Sequence, residues 1–466
     1  MIKKSLIVLS VGVAYFANAQ DISTIRNTVD VYSNSSLNGS SKYNAMAGSM
    51  GALGGDVSVL NSNPAGIGVS IASEISGTLF IESNKNSTNY NGQTLKNKIN
   101  STDLGNTGGI ATFQIEGNSP WKFVNVAVNY SNQSLEDYSE TAGNNGIVYE
   151  IYDADNLLID ELAFAGHAYN RYGNLSKMSF GVGANYDNRI YVGAGLNFHN
   201  AVLDQYDSAA FTANDGFTDI YNKQYTPFSE SSNGFSASVG VIGKINPQFR
   251  VGAALETPTW WSVSRVYTEY ENPTDGTYAE ERRLSSPMKA TLSAAYVPSK
   301  NLAINVDYSL GLTKSKYRVD GAAETELNQF FSNNVNNLSE VKVGAEYRIM
   351  DFRVRGGYGF SSNPFDSMNI NSIGNTGSVG TATFNNFIAG KRNTIGAGLG
   401  YDFKSFYIDA AYQNVTSEYT SPFIQGSFAN NTGYFSNDYI INSDASIVSN
   451  VKNTRDNFFI TLGWKF

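Results

Sequence analysis

Few residues in this chain could do chemistry. Its 466 residues include two histidines, His167 and His199, and no cysteine. Hydrolysis needs a nucleophile held beside a base. The neighbours of His199, Asn200 and Ala201, supply no serine. No His/Cys cluster has the spacing of a metal site, and haem would find only these two imidazoles. Asp153-Ala154-Asp155-Asn156 opens like a calcium loop. Leu157 then occupies a ligand position and the turn glycine is missing. Gly181-Val182-Gly183 and Gly193-Ala194-Gly195 are not phosphate loops, because no Gly-Lys-Ser/Thr follows. The sequence therefore reads as no enzyme, with no cofactor and no metal. Recognition remains. Arg353 and Arg355 are two residues apart, so in a strand their side chains share a face. They are candidate anchors for an anionic ligand group. Arg250, Lys342 and Arg348 are further cations, with Asp307, Glu346 and Asp409 as counter-charges. The alternative is an ion-paired network bracing the fold. Leu157, Leu158, Leu162 and Phe164 lie in an apolar stretch inside a polar connection. They read as a helical ligand-capture patch, or as packing between neighbouring loops.

The elements that must position these residues follow from composition and period. Only 16% of the chain is charged, and the missing charge is replaced by 44 Gly, 29 Tyr, 27 Phe and many Asn, Ser and Thr. Beyond residue 19 no run of about 18 apolar residues exists, which excludes a helical membrane protein. With 32 Lys+Arg against 41 Asp+Glu and no basic stretch, nucleic acid is an improbable partner. Residues 1–19 read as a signal peptide: Lys3-Lys4, an apolar run, then Ala17-Asn18-Ala19 for cleavage.

From about Ser73 the chain alternates. Val124, Val126, Val128 and Tyr130 share one face, with Asn125, Ala127 and Asn129 on the other. Met178 to Phe198 repeats the pattern across Asp187-Asn188-Arg189. Such a period marks half-buried strands. Six short turns, near Pro120, Asn188, Pro247, Ser299, Asp351 and Ser405, alternate with seven long polar connections. The connections are roughly 84–106, 132–175, 203–231, 262–283, 313–337, 362–390 and 416–454. The count implies fourteen strands and the asymmetry a transmembrane barrel, closed because hydrocarbon leaves no backbone amide unpaired. Tyr186, Tyr296, Tyr347, Phe352, Tyr401 and Phe406 near the short turns suit an interfacial girdle. Phe458, Ile460, Leu462, Trp464 and Phe466 alternate to the end of the chain.

Residues 20–72 do not alternate. They carry Gly48, Gly51, Gly54, Gly55 and Gly66, and Asn63-Pro64-Ala65-Gly66 leads toward strand one. Pro64 fixes a corner and Gly66 offers a pliable point beside it. The segment is expected as a plug in the lumen. Ser41-Lys42-Tyr43-Asn44-Ala45-Met46-Ala47-Gly48, Gly51-Ala52-Leu53-Gly54-Gly55-Asp56 and Asn63-Pro64-Ala65-Gly66 resemble the N-terminal hatch of the FadL-like outer-membrane transporters. That family includes long-chain fatty acid and TodX-like aromatic hydrocarbon channels. Ser286-Pro287-Met288-Lys289 and Leu399-Gly400-Tyr401-Asp402-Phe403 are similar too.

The resemblance implies an all-β fold: a fourteen-stranded antiparallel transmembrane barrel over 73–466, with a gating hatch over 20–72. It implies passive uptake of a hydrophobic small molecule across the outer membrane of a Gram-negative-type bacterium. It also implies a lateral opening in an early strand, for which Gly108-Gly109 is the candidate. Expected partners are outer-membrane lipids and lipopolysaccharide, and the barrel assembly machinery through Phe466, with the barrel as a monomer. A PorV-like secretion accessory or a haemin receptor is the alternative. A sixteen-carbon chain gains about 0.8 kcal/mol per methylene on leaving water, so cargo of this kind needs an apolar site rather than a water-filled pore.

Overall fold

A computed structural model of the chain describes residues 22–33, 38–152, 155–223, 226–269, 276–319, 322–365, 367–423, 428–429, 433–434 and 445–466. The expected signal peptide and cleavage site, and Asp153-Ala154 of the calcium-like run, lie outside the described residues.

Fourteen strands close an antiparallel barrel. In chain order they are β1 (Glu74–Tyr90), β2 (Gln93–Gln114), β3 (Trp121–Ser134), β4 (Leu158–Tyr186) and β5 (Ile190–Thr212). Next come β6 (Phe228–Lys244), β7 (Phe249–Glu256), β8 (Lys289–Tyr296), β9 (Leu302–Gly311) and β10 (Ser339–Ile349). The last four are β11 (Phe352–Ser361), β12 (Arg392–Asp402), β13 (Phe406–Phe423) and β14 (Ile447–Lys465). Each pairs with its sequence neighbour, and β14 returns to β1 with Trp464 opposite Ile75. The Phe466 N–H donates to the Ser73 carbonyl at 2.9 Å, so the last residue completes the seam.

Ile75, Leu79, Val126, Val182, Leu196, Val241, Leu292, Ile395, Leu399 and Ile460 point outward and stay exposed. A soluble surface would not keep so much apolar area, whereas lipid requires it. Aromatic pairs rim the short-turn end: Trp121 with Tyr186, Phe249 with Tyr296, and Phe352 with Tyr401. At the other end Phe180, Phe198, Phe235 and Trp260 form a row across neighbouring strands. Two girdles bounding an aliphatic band define an outer-membrane-type barrel.

Several connections expected as loops are strands. The 84–106 stretch is the β1–β2 hairpin, turned by Asn91 (φ 48°) and Gly92 (φ 76°). Positive φ at both turn residues matches the twist of the flanking strands. Within 132–175, Asp137–Tyr152 is a strand and β4 starts at Leu158, so the expected helix is corrected to sheet. Past the girdle these strands have water outside and an interior face that mixes polar residues with buried apolar ones such as Leu162, Phe164, Leu203 and Phe211, so no regular apolar alternation marks them in sequence. The 313–337 connection holds a helix, α3 (Ala322–Asn334). The wall bends at Thr257-Pro258-Thr259 and Ser286-Pro287-Met288, each joining a lower strand to an upper one (Trp260–Glu269 and Gly276–Ser285). Proline has no N–H for the ladder and is confined to such breaks. Gly108-Gly109 is no weak point: it lies in unbroken ladders with β1 and β3. The β1–β2 irregularity falls instead between Thr78 and Leu79.

Candidate functional site

Two inserts fill the barrel. The lower one, residues 38–72, is the hatch. Ser40 caps α2 (Ser41–Ala45), its Oγ accepting from Tyr43 N–H and donating to Asp56 Oδ2 at 2.6 Å. Asp56 in turn caps the 3₁₀ turn Val57–Asn61, so one carboxylate joins both ends of the fold. Asn63 caps the next turn, Pro64–Val69, through Ala65 N–H at 3.0 Å. Its Nδ2 donates to the Gly51 carbonyl at 2.7 Å and reaches the Val241 carbonyl on β6 at 3.3 Å. Proline at the first helical position is well placed there, since its missing N–H would have no partner anyway.

Side chains of the wall hold the hatch by its backbone. Asp307 on β9 accepts from the Met50 and Gly51 N–H groups. Asn305 accepts from Ala52, Thr461 from Ser41, and Asn125 donates to the Ile67 and Ser70 carbonyls. Close approach is made possible by glycines on both sides. A Cβ on Gly193 would lie 2.4 Å from the Pro64 carbonyl carbon, one on Gly357 2.3 Å from Met46, and one on Gly51 2.1 Å from Ser293 Oγ. Gly48, Gly54 and Gly55 have φ of +78°, +69° and +73°, conformations that other residues adopt only with strain. Gly66 is different. It sits inside the short 3₁₀ turn without a left-handed φ, packed on Val59 and the Gly54 backbone. The expected pliable point is therefore a close-packing glycine.

The upper insert was not legible as an element. Residues Ile22–Asn27 form a helix, α1, continued by a π turn, Thr28–Ser33. Ile22, Ile25, Val29, Val31 and Tyr32 pack in an apolar cluster with Leu203, Phe228, Trp261 and Leu284 of the wall. Leu327, Phe330 and Phe331 of α3 and Phe365, Phe387 and Ile388 close it from the long connections. Polar bonds fix the insert's angle. Arg26 donates to Ser421 Oγ at 2.6 Å, and Thr28 pairs with Tyr317. Tyr32 donates to Glu230, a carboxylate that also holds Arg265 at 2.9 Å and Arg282 at 2.6 Å. Burial, with Glu230 adding to it, pushes the Tyr32 phenol well up, so it remains a donor.

Between the two inserts a cavity of about 150 Å³ opens, bounded by Asp30 above and by Tyr43 and Gly48 below. Its lining mixes apolar and polar residues and carries the charged Asp137, Arg171, Glu340, Lys342, Arg392 and Arg455. Apolar volume thus sits at the long-connection end, where α1 occupies it, and the centre of the lumen is charged.

The candidate ligand residues are scattered. Arg353 and Arg355 lie beneath the hatch, in a recess shared with Lys42, Asp56 and Glu74. Arg355 bonds Glu346 at 2.7 Å and Asp409 at 2.8 Å, bracing three strands. Arg353 reaches Asp402 at 3.3 Å. Leu157 and Leu158 are exposed, while Leu162 and Phe164 are buried with Phe211 and Phe423. Leu158, Leu162 and Phe164 share a strand parity, so position along the strand separates them: Leu157 and Leu158 stand at its outer end, and Leu162 and Phe164 lie deeper. Arg455 escaped notice because it lies between the end of the 416–454 connection and the apolar alternation that starts at Phe458.

The histidines have partners that sequence proximity hid. His167 Nε2 is 2.8 Å from Asp207, and the ring stacks on Phe423. His199 Nε2 is 3.0 Å from Ser236 Oγ across the β5–β6 ladder. Ser236 is fully buried and donates to Glu256 at 3.0 Å, so its hydroxyl is committed and out of a substrate's reach.

A fourteen-stranded lipid-facing barrel, stoppered by its own hatch, is a distinctive class of outer-membrane-type protein. No family model matches the chain, and no curated protein matches it. Solved structures do. A Pseudomonas aeruginosa FadL homologue is 11% identical with a TM-score of 0.56, covering 92% of this chain and 98% of that one. The P. putida toluene transporter TodX is 12% identical with a TM-score of 0.55, covering 92% and 99%. The Ralstonia pickettii toluene transporter TbuX is 12% identical with a TM-score of 0.53, covering 92% and 98%. The chain has the FadL-like fold that its hatch residues resemble.

Proposed function

We propose that this protein is a passive uptake channel for hydrophobic small molecules in the outer membrane, with the short-turn end in the periplasm. One observation carries the reading: an apolar cluster lies inside the barrel, on the far side of a backbone-sealed hatch from that end. Apolar solutes gain by leaving water for such a site, while the hatch denies ions a path. The solved relatives of like fold are named as toluene transporters and a FadL homologue, and they support the same class of cargo. Arg353 and Arg355 do not serve as entry-side anchors in this scheme, because they lie below the hatch. Lys342, Arg392 and Arg455, in the central cavity, are the cations a polar head would meet. The test is uptake of radiolabelled toluene and of a long-chain fatty acid by cells producing the protein, against cells with the empty vector. Equal uptake of both compounds with and without the protein would remove the proposal.

A second reading is a secretion accessory of the PorV kind. It is favoured by Leu157, Leu158, Ile159, Phe217 and Ile220, which are exposed on strands and their connecting turns beyond the girdle. Co-purification of one exported protein, lost when Leu158 and Ile220 become Asp, would support it over transport.

A further inference from the structure

Three cations sit on the outside of the barrel where lipid headgroups begin. The strand Gly276–Ser285 pairs with Trp260–Glu269 on one side and with Lys316–Arg318 on the other. Trp260 belongs to the girdle row, stacked on Phe235, and lies opposite Ser285. Lys316 also lies opposite Ser285, level with Trp260. The next outward row away from the aliphatic band puts Arg283 directly opposite Arg318. All three cations are exposed. Among the described residues none of them has an ion-pair or hydrogen-bond partner. The described acids near them are Glu281, exposed one row further out on the strand of Arg283, and Glu324, whose carboxylate accepts from the Val319 N–H next to Arg318.

Like charges directly opposite on antiparallel strands repel, at side-chain separations of about 5 Å. A chain with 41 acids and 32 Lys and Arg has no compositional reason for an all-cation row. An anion lying between the guanidinium planes removes the repulsion, and phosphate suits them best because each Arg offers parallel donors. The row's height narrows the source of that phosphate. One residue pair beyond a Trp girdle is the level of lipid phosphates rather than of bulk solvent.

We propose that Arg283, Arg318 and Lys316 seat the phosphate of a phosphorylated glycolipid in the outer leaflet. The seat rests on the membrane reading above, with the long connections outside. It requires nothing of the cargo. Bound lipid ties the two strands Gly276–Ser285 and Lys316–Arg318 together beside the Pro287 bend, where ladder pairing is interrupted.

The experiment uses the full mature chain in non-ionic detergent and follows its thermal unfolding by gel mobility. Bisphosphorylated lipid A is expected to raise the transition temperature of the wild type. The R283Q/K316Q/R318Q variant is expected to need about tenfold or more lipid for the same shift. Arg189→Gln, on an exposed short turn, serves as the control and keeps wild-type affinity. Should the triple variant not assemble, R318Q alone is measured, with a loss of about threefold or more expected. Equal affinity in wild type and variant overturns the seat. So does an equal shift with lipid A stripped of its phosphates. The same shift from inorganic phosphate alone overturns the lipid source. No cargo enters the readout, so failure of the uptake reading and failure of the seat are separate results.

Discussion

Gly193 has no side chain, and the hatch depends on that. A Cβ there would press on the Pro64 carbonyl carbon at 2.4 Å, and backbone cannot step aside as a flexible side chain can. Gly193→Val is expected to cost about 1–3 kcal/mol of overpacking and to lift the Asn63–Pro64 corner from the wall. The transition temperature should fall and small-ion conductance in planar bilayers should rise. Gly243→Ala is the matched control, because nothing lies within 4 Å of its Cβ position. Indistinguishable conductance for the two variants would mean that the corner does not seal. Glu230 is the other single residue with a sharp expectation. It holds Arg265 and Arg282 and receives Tyr32. Glu230→Gln leaves two guanidinium groups facing a neutral amide, and breaking a buried pair costs about 3–5 kcal/mol. Chemical denaturation should show the loss, and an unchanged midpoint would show that α1 is held by apolar packing alone. Residue types announced the glycine roles, and φ values above zero at Gly48, Gly54 and Gly55 agree with them. Partnerships were hidden, because Ser236 reaches His199 through strand pairing across 37 positions.

At the scale of elements, the hatch and α1 separate into two stoppers with different jobs. Residues 41–60 supply the contacts to Asp307, Asn305 and Thr461. Their deletion, with the signal peptide and barrel kept, should give an assembled but leaky protein. Its conductance should exceed that of the full chain, while cargo-selective uptake falls. Normal assembly with unchanged conductance would place the seal elsewhere. Removing residues 22–33 should act differently: the hatch stays shut, and the vacated cluster of Phe228, Trp261 and Phe331 becomes a site for an apolar fluorescent probe. Probe emission should rise without added conductance. Equal emission from both proteins would mean that the cluster collapses when α1 leaves. Sequence gave notice of the hatch through its Gly and Asn-Pro-Ala-Gly spacing. It gave none of α1, because a six-residue helix followed by a π turn is too short to show a helical period.

The whole molecule is one closed sheet, and closure depends on its last residues. Trp464 pairs with Ile75 and Phe466 bonds Ser73. Truncating Trp464-Lys465-Phe466 should abolish membrane assembly while export continues, as seen by loss of the heat-modifiable band from outer-membrane fractions. A truncated chain that still migrates as a folded barrel would show that the seam closes without them. What the sequence determined by itself is what lipid and turn geometry enforce. A strand between hydrocarbon and a packed lumen must alternate, so its aliphatic face, girdle aromatics and short turns are visible residue by residue. Fourteen strands and the short-turn girdle could therefore be read directly, whereas the hatch was reached through its resemblance over 20–72, a span that divides into the insert at 22–33 and the hatch at 38–72. Tertiary structure alone decided the rest. Above the girdle the outer face meets water and the inner face mixes polar with apolar residues, so the extensions of β1, β2, β4 and β5 carry no regular hydrophobic period. The inward charges were visible, but their partners depend on barrel register. Arg355 became a brace rather than an anchor because closure sets Glu346 and Asp409 on either side of it. Apolar volume went to the long-connection end because α1, α3 and six wall strands converge there from positions far apart in the chain.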